Sequence, residues 1–325
     1  MPNHDAVVII PNFNGLRFLP SCIGALEKQT CRDFDLLVVE NGSTDGSAEW
    51  LHAHGVPCLV NHENLGFAGG VNAGIRATTQ EYVILLNNDT VPAPEFVERL
   101  LGAIKRHRRI FSVSAKMLCV QDPSLVDDAG DGISLFGWAY QRGRELPAAL
   151  YERPSDIFSS CAGAAVYRRS LLEETGLFDE THFAYLEDID LCWRARLLGY
   201  FNRYEPGACV VHYGSATSGS RYNSFKVRLS SRNHIWLMYK NQPAWQLMLN
   251  APWLLAGLLI KGMFFRKRGF GTEWLSGTLE GLRTAKGEQQ ADFARIPLYR
   301  FLAIEWEMVL GTAEYISQYV KREKG

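Results

Sequence analysis

The densest acidic run in the chain is Phe183-Ala184-Tyr185-Leu186-Glu187-Asp188-Ile189-Asp190. It leads into a helical pattern with Ile189, Cys192, Trp193 and Leu197 apolar. Asp188 suits a general base: a hydroxyl is a poor nucleophile, and removing its proton during attack lowers the barrier. Glu187 orients the acceptor or tunes its neighbour, because close carboxylates raise one pKa. The same acids also suit a helix start, where negative charge is favourable. Asp190 and Arg194 stand i,i+4, the spacing of an ordinary helix pair.

A second constellation is Asn87-Asn88-Asp89 at the end of a strongly apolar run. A hard carboxylate there can bind Mg²⁺ or Mn²⁺ through oxygen, and such a metal bridges diphosphate oxygens and offsets leaving-group charge. Asn88 can orient a ribose or bind water. His212 follows another apolar run, 209–211. Its neutral imidazole can be a second ligand of the Asp89 metal or can bind phosphate.

Two further loops follow apolar runs: Pro11-Asn12-Phe13-Asn14-Gly15 and Glu40-Asn41-Gly42-Ser43-Thr44-Asp45-Gly46. Glu40 can accept hydrogen bonds from a base or sugar edge, and Asn12 and Asn14 can bond in either sense. Asp45 can pair with a base or cap a helix. Residues of these types also build tight turns with no ligand. With the loop ending at Asp89, however, three such loops are expected at one cleft.

A fourth candidate runs from His62 through Asn64, Gly66, Gly69 and Gly70 to Asn72. Its glycines allow close backbone approach, and the helix start after it favours phosphate. The order Gly69-Gly70-Val71-Asn72-Ala73-Gly74 lacks dinucleotide spacing, which weighs against an NAD oxidoreductase. Downstream, Arg221, Arg228 and Arg232 can approach a diphosphate, as arginine forks suit its oxygens.

The elements that must position these groups read as alternating strands and helices. Strands are expected at 6–10, 35–39, 57–60 and 82–86, and helices at 16–28, 47–54, 69–78 and 95–106. This alternation predicts an α/β fold with a mostly parallel sheet and crossover helices, whose ligands bind beyond the carboxyl ends of the strands. Residues 119–153 read as loops and short strands able to cover a substrate. The strongest α/β signal ends near Gly214. Residues 247–260 are mostly apolar, broken by Asn250 and Pro252, and are followed by Lys261 and the cluster Arg266-Lys267-Arg268. That run is shorter than the roughly 20 residues a bilayer crossing needs, so a buried or interfacial helix is expected, with the basic cluster able to meet anionic headgroups.

Composition bounds the rest. The chain has 325 residues, 47% hydrophobic and 21% charged, with a net charge of -1. That is globular material, and a generally basic nucleic-acid binder is disfavoured. Seven cysteines without a CxxC pair disfavour a disulfide scaffold or thiolate zinc site. No signal peptide is recognised, so a cytoplasmic protein is expected.

As a set, VVIIPNFNG, VVENGSTDGS, NLGFAGGVNAG, VILLNNDT, AGAAVYRRSLLEETGLFDE, YLEDIDLCWRARLLGY and VVHYGS resemble the inverting family 2 glycosyltransferases of GT-A fold that include rhamnosyltransferases. The resemblance covers about residues 6–215. It implies a GT-A catalytic domain over 1–240, with a nucleotide-sugar half to about 120 and an acceptor half from 121. A helical extension, possibly membrane-associated, is expected over 241–325. It further implies a nucleotide-diphospho-sugar donor and a divalent cation, Mg²⁺ or Mn²⁺. Pro11, Asn12 and Glu40 then contact the nucleoside, with Asn14, Asn41, Ser43, Asp45, Asn64, Gly66, Gly70, Asn72, Asn88 and the three arginines completing the donor site. Asp89 and His212 become the metal ligands and Asp188 the base. Glu40 stands where relatives often carry Asp, and Asn87-Asn88-Asp89 stands in place of DxD, leaving Asp89 as its sole carboxylate. dTDP-L-rhamnose and a saccharide or lipid-linked glycan of the cell surface are the donor and acceptor the resemblance favours. A polyprenyl-phosphate glycosyltransferase and a non-catalytic nucleotide-sugar-binding protein are the alternatives. An oligomer is possible.

Overall fold

The structure is a computed structural model that describes residues 4–214 and 222–324. In chain order the elements are β1 (Ala6–Asn12), α1 (Leu19–Leu26), β2 (Phe34–Asn41), α2 (Ser47–Ala53), β3 (Cys58–Asn61), α3 (Gly66–Arg76), β4 (Tyr82–Leu86), β5 (Thr90–Pro92) and α4 (Phe96–Ile104). They continue as β6 (Ile110–Cys119), β7 (Val126–Asp128), β8 (Asp131–Ile133), β9 (Ala139–Gln141), β10 (Ser155–Ile157), β11 (Ala164–Arg168), α5 (Arg169–Thr175), α6 (Glu187–Leu198) and β12 (Phe201–His212). Four helices follow: α7 (Ser224–Asn241), α8 (Ala244–Lys267), α9 (Gly271–Thr284) and α10 (Leu298–Lys324).

The apolar runs become strands because the sheet is covered on both faces. Side chains alternate sides along a strand, so β1 sends Ala6, Val8 and Ile10 to a core under α1 and α4. It sends Val7 and Ile9 to a core under α3, α5 and α6. A strand buried on both faces reads as a continuous hydrophobic run, and that made β1 and β4 recognisable.

The main sheet runs β10-β12-β6-β11-β4-β1-β2-β3. The nucleotide-side strands β4, β1, β2 and β3 are parallel, as expected. The other half is mixed: β11 lies antiparallel between β4 and β6, while β12 runs parallel to β6. The direction of these strands was not legible, since a five-residue strand such as Ala164–Arg168 carries no directional signal. Within residues 119–153, β8 and β9 form a separate hairpin. It packs with α6, α7 and α10 in a third core containing Ile133, Trp193, Leu237 and Met308.

The helix expected in the tail is longer than the apolar run: α8 has 24 residues, with Asn250 and Pro252 inside it. Asn250 is buried, and with Gln246 donates to Glu305 on α10 at 3.0 and 2.7 Å. The outer face of α8 exposes Met248, Leu249, Trp253, Leu255 and Leu259. Among the described residues it is the one helix long and apolar enough to cross a membrane.

Candidate active site

The loops after β1, β2 and β4 meet through a chain of side-chain hydrogen bonds. Asn12 Nδ2 donates to Glu40 Oε2 at 2.7 Å, and Asn88 Nδ2 donates to Asn12 Oδ1 at 2.6 Å. All three residues are buried. Glu40 also accepts from Ser47 Oγ at 2.7 Å and from the Ser43 backbone N–H at 3.1 Å, while the Ser43 hydroxyl closes on it as well. Gly15 makes room for this network: a Cβ there would lie 2.0 Å from Asn88 Nδ2 and 2.5 Å from Asn12 Oδ1. Exposed Asn14 takes positive φ and ties the loops together, donating its N–H to Ser43 Oγ and accepting the Thr44 N–H. Pro11 is half-buried in β1 beside Val39.

At the end of β4, Asp89 meets His212, the last residue of β12. The register of β5 against β12 pairs His212 with Thr90 and brings this about. His212 Nε2 lies 3.3 Å from Asp89 Oδ1, and Nδ1 lies 2.7 Å from Asp127 Oδ2 on β7. Burial lowers the imidazole's basicity, but the two carboxylates prevail and raise it to about 9. A carboxylate oxygen and an imidazole nitrogen on one point suit a divalent cation such as Mg²⁺ or Mn²⁺. Asp127 holds the other ring nitrogen, as partners of metal-binding histidines commonly do.

The acids of α6 are sorted by burial. Asp188 is half-buried, while Glu187 and Asp190 are buried. Asp188 Oδ1 accepts the Ile189 N–H at 2.8 Å and Oδ2 accepts the Ala162 N–H at 3.3 Å. Burial raises its carboxyl and these two N–H groups oppose the rise. Glu187 Oε2 has no hydrogen-bond partner. Burial, then the charge of Asp188, pushes Glu187 well above the carboxylate range. Asp190 is the opposite case. Arg194 at 3.0 Å, Lys240 at 3.3 Å and Asn241 at 2.8 Å overcome its burial and hold it far below the usual range.

The approach to Asp188 is strained. Phe183, Tyr185 and Leu186 all have positive φ, at 63°, 71° and 69°. Asn233 on α7 donates to the carbonyls of His182, Ala184 and Tyr185 at 2.8–3.0 Å. The Phe183 carbonyl also accepts from Ala68 at 3.2 Å, and a Cβ at Gly66 would lie 2.4 Å from it.

The family model described as "Glycosyl transferase family 2" matches residues 7–176. The chain belongs to that family. An N-acetylglucosaminyl-diphospho-decaprenol L-rhamnosyltransferase of Mycobacterium tuberculosis is 29% identical to this family 2 glycosyltransferase over 284 residues, covering 78% of this chain and 89% of that one. GalNAc-T7, solved with UDP, GalNAc and Mn²⁺, superposes with a TM-score of 0.59 at 14% identity, covering 74% of this chain and 48% of that one. A mannosyltransferase of Pyrobaculum calidifontis, solved with GDP-Man and Mn²⁺, gives 0.53 at 15%, covering 98% and 86%. These likenesses establish the GT-A fold.

Several residues expected at the donor site are held elsewhere in this glycosyltransferase. Glu40 accepts from Asn12, Ser43 and Ser47 and so ties the loops after β1 and β2 together. Asn72 is buried and bonds the Phe178 backbone and Glu180. Asn41 staples Asn61, Asn64 and the 65–66 backbone, with Gly70 packed against its amide. Asp45 accepts from the Leu16 and Ser47 N–H groups at 2.8 and 3.1 Å, the capping alternative. Arg228 and Arg232 pair with Glu280 on α9, and Arg232 also bonds the carbonyls of Thr181 and His182. Arg221 lies outside the described residues.

Sequence reasoning did not single out Asp127, Asp128 and Asp131, although three acids within five residues after Val126 were a signal. Asp128, Asp131 and Cys161 bring ligand atoms within 4.8 Å of one another. Burial and the surrounding carboxylates push Cys161 well up, so it stays a thiol, a poor metal ligand. Burial and like charge also raise both acids, Asp128 to about 7.

Proposed function

We propose that this glycosyltransferase moves L-rhamnose from dTDP-L-rhamnose, with inversion, onto a sugar hydroxyl of a polyprenyl-diphosphate-linked glycan during cell-surface polysaccharide synthesis. The observation that carries the reading is the extent of the likeness to the mycobacterial rhamnosyltransferase. It spans 284 residues, beyond the family match at 7–176 and into the C-terminal helices. Residues 1–240 serve as the catalytic domain. Residues 241–325 rest on an anionic membrane at its cytoplasmic face, through the exposed apolar side of α8 and its basic end. α8 lies along the surface rather than across the bilayer, because its other side packs on the β8–β9 hairpin, α9 and α10.

In this mechanism Asp188 accepts the proton of the acceptor hydroxyl while that oxygen attacks the anomeric carbon on the face opposite the diphosphate. The new C–O bond forms as the bond to the diphosphate breaks, and the single displacement inverts the centre. Protonated Glu187 places no second charge beside the base. Asp89 and His212 would hold the divalent cation, which when bound offsets charge on the leaving diphosphate. The test is a panel of nucleotide sugars with Mn²⁺ or Mg²⁺ and an N-acetylglucosaminyl-diphospho-lipid acceptor. Selective release of dTDP with a rhamnosylated lipid product is expected. Equal use of UDP- or GDP-sugars, or no lipid product, refutes the assignment.

A further inference from the structure

Three guanidinium groups line one cavity at the C-terminal end of α6. The cavity has a volume of about 200 Å³. Arg196 comes from the last turn of α6, Arg109 immediately precedes β6, and Arg300 lies in the first turn of α10. Arg109 and Ala303, both lining residues, are exposed, so the cavity is reached from solvent. Asp188 sits in the first turn of the same helix. At helical rise about 16 Å separates it from the cavity, which therefore is not part of the cleft at Asp89 and Asp188.

The cations converge on Gly199, the C-cap of α6, whose φ is 93°. Its carbonyl accepts from Arg109 Nη2. A Cβ there would stand 2.7 Å from Arg300 Nη1 and closer still to Nη2. Arg196 pairs with Glu307 and donates to the Ile157 carbonyl at 3.0 Å. Arg109 and Arg300 have no acidic partner among the described residues. The Arg300 guanidinium makes no hydrogen bond and has only the Tyr299 ring, 4.9 Å away. The helix end supplies about half a negative charge and Glu307 one, against three guanidinium charges. More than one positive charge is left over, and like charges this close repel. Guanidinium forks match phosphoryl oxygens, and Arg109 and Arg300 keep most of their five donors free for them. The volume is several times the ~30 Å³ of one water, enough for a phosphate or diphosphate group.

We propose that Arg109, Arg196 and Arg300 form a second anion site, which binds a phosphoryl group and bridges α10 to α6 and the start of β6. The test is calorimetric titration of the full chain with inorganic diphosphate in buffer containing EDTA, where no cation holds diphosphate at Asp89. Arg300→Gln and Arg109→Gln should each reduce affinity about tenfold or more. Asp89→Asn, in the catalytic cleft, and Arg108→Gln, an exposed neighbour outside the cavity, should stay within a factor of two. Diphosphate should also raise the Tm of the wild type but not of Arg300→Gln, a readout taken on folded protein. Sedimentation with phosphatidylglycerol vesicles separates two sources of the group. Loss with diphosphate marks a soluble ligand, and loss confined to the vesicles marks a lipid headgroup. Arginine variants that match the wild type in both assays overturn the site. So does an equal loss in Arg108→Gln, which would make it diffuse surface charge, or a loss confined to Asp89→Asn, which would place the anion in the catalytic cleft.

Discussion

Replacing Asp128 with Asn should stabilise the protein at alkaline pH. Asp128 Oδ1 accepts the Gly130 N–H at 2.6 Å, a bond that the Asn carbonyl retains. Its Oδ2 is buried without a hydrogen-bond partner and shares its surroundings with Asp131, so the Asn NH₂ would supply a donor where the native pair shares a proton. Burial and neighbouring carboxylates raise the Asp128 carboxyl from 3.8 to about 7. The sign follows from linkage. Below the unfolded pKa both states are protonated and the full stability is present. As pH rises toward 7 the unfolded chain loses a proton that the folded one keeps, and stability falls. Three pKa units at about 1.4 kcal/mol each bound that loss at about 4 kcal/mol. Coupling to Asp131 reduces what one substitution recovers to roughly half, about 2 kcal/mol, or about 3 °C in Tm for 325 residues. Melting curves at pH 5 and pH 8.5 provide the assay: the variant's gain should be clearly larger at pH 8.5, since at pH 5 the wild type has lost only part of this stability. An equal shift at both values, or a loss at pH 8.5, would refute the shared-proton picture.

Three other outcomes follow from the same geometry. Asp188→Asn should reduce transfer by about 10²–10⁴-fold, the usual worth of a general base, while leaving donor affinity within a factor of two by calorimetry; wild-type transfer would remove Asp188 from that role. Asp127→Asn, which weakens the 2.7 Å hold on His212 Nδ1, should reduce Mn²⁺ affinity about 10–100-fold, and unchanged affinity would leave Asp127 without a positioning role. Asp190→Asn leaves Arg194 and Lys240 buried without their shared carboxylate and should cost about 3–5 kcal/mol in urea unfolding at pH 7; a variant as stable as the wild type would show that the cluster contributes only packing.

What was legible in the sequence depended on burial. β1 and β4 are covered on both faces, so their apolar runs marked both strand and loop positions, and Asn12 and Asp89 were found where those runs end. β7, β8 and β9 have three residues each, too few for a period, and the acids they carry were read as loop. Asn250 and Pro252 interrupt the apolar run without ending the helix. Glu305, 55 positions away, satisfies Asn250 and keeps the helix whole. The charge of the α7 arginines was legible, but their pairing with Glu280 was not, because that acid belongs to another helix.

The same helix explains how the base is held. Three non-glycine residues in the left-handed region cost on the order of 1–3 kcal/mol each and persist only where surrounding contacts over-determine them. Here the contacts come from α7: Asn233 takes three carbonyls of the strained segment and Arg232 two from its start. Lys240, two turns further on, bonds both Asp179 before the segment and Asp190 after it. The helix thus carries groups that clamp both ends of the twelve-residue stretch 179–190, with Asp188 inside it. Arg232 and Asn233 thus brace the loop that leads into Asp188, which makes α7 the support of that loop.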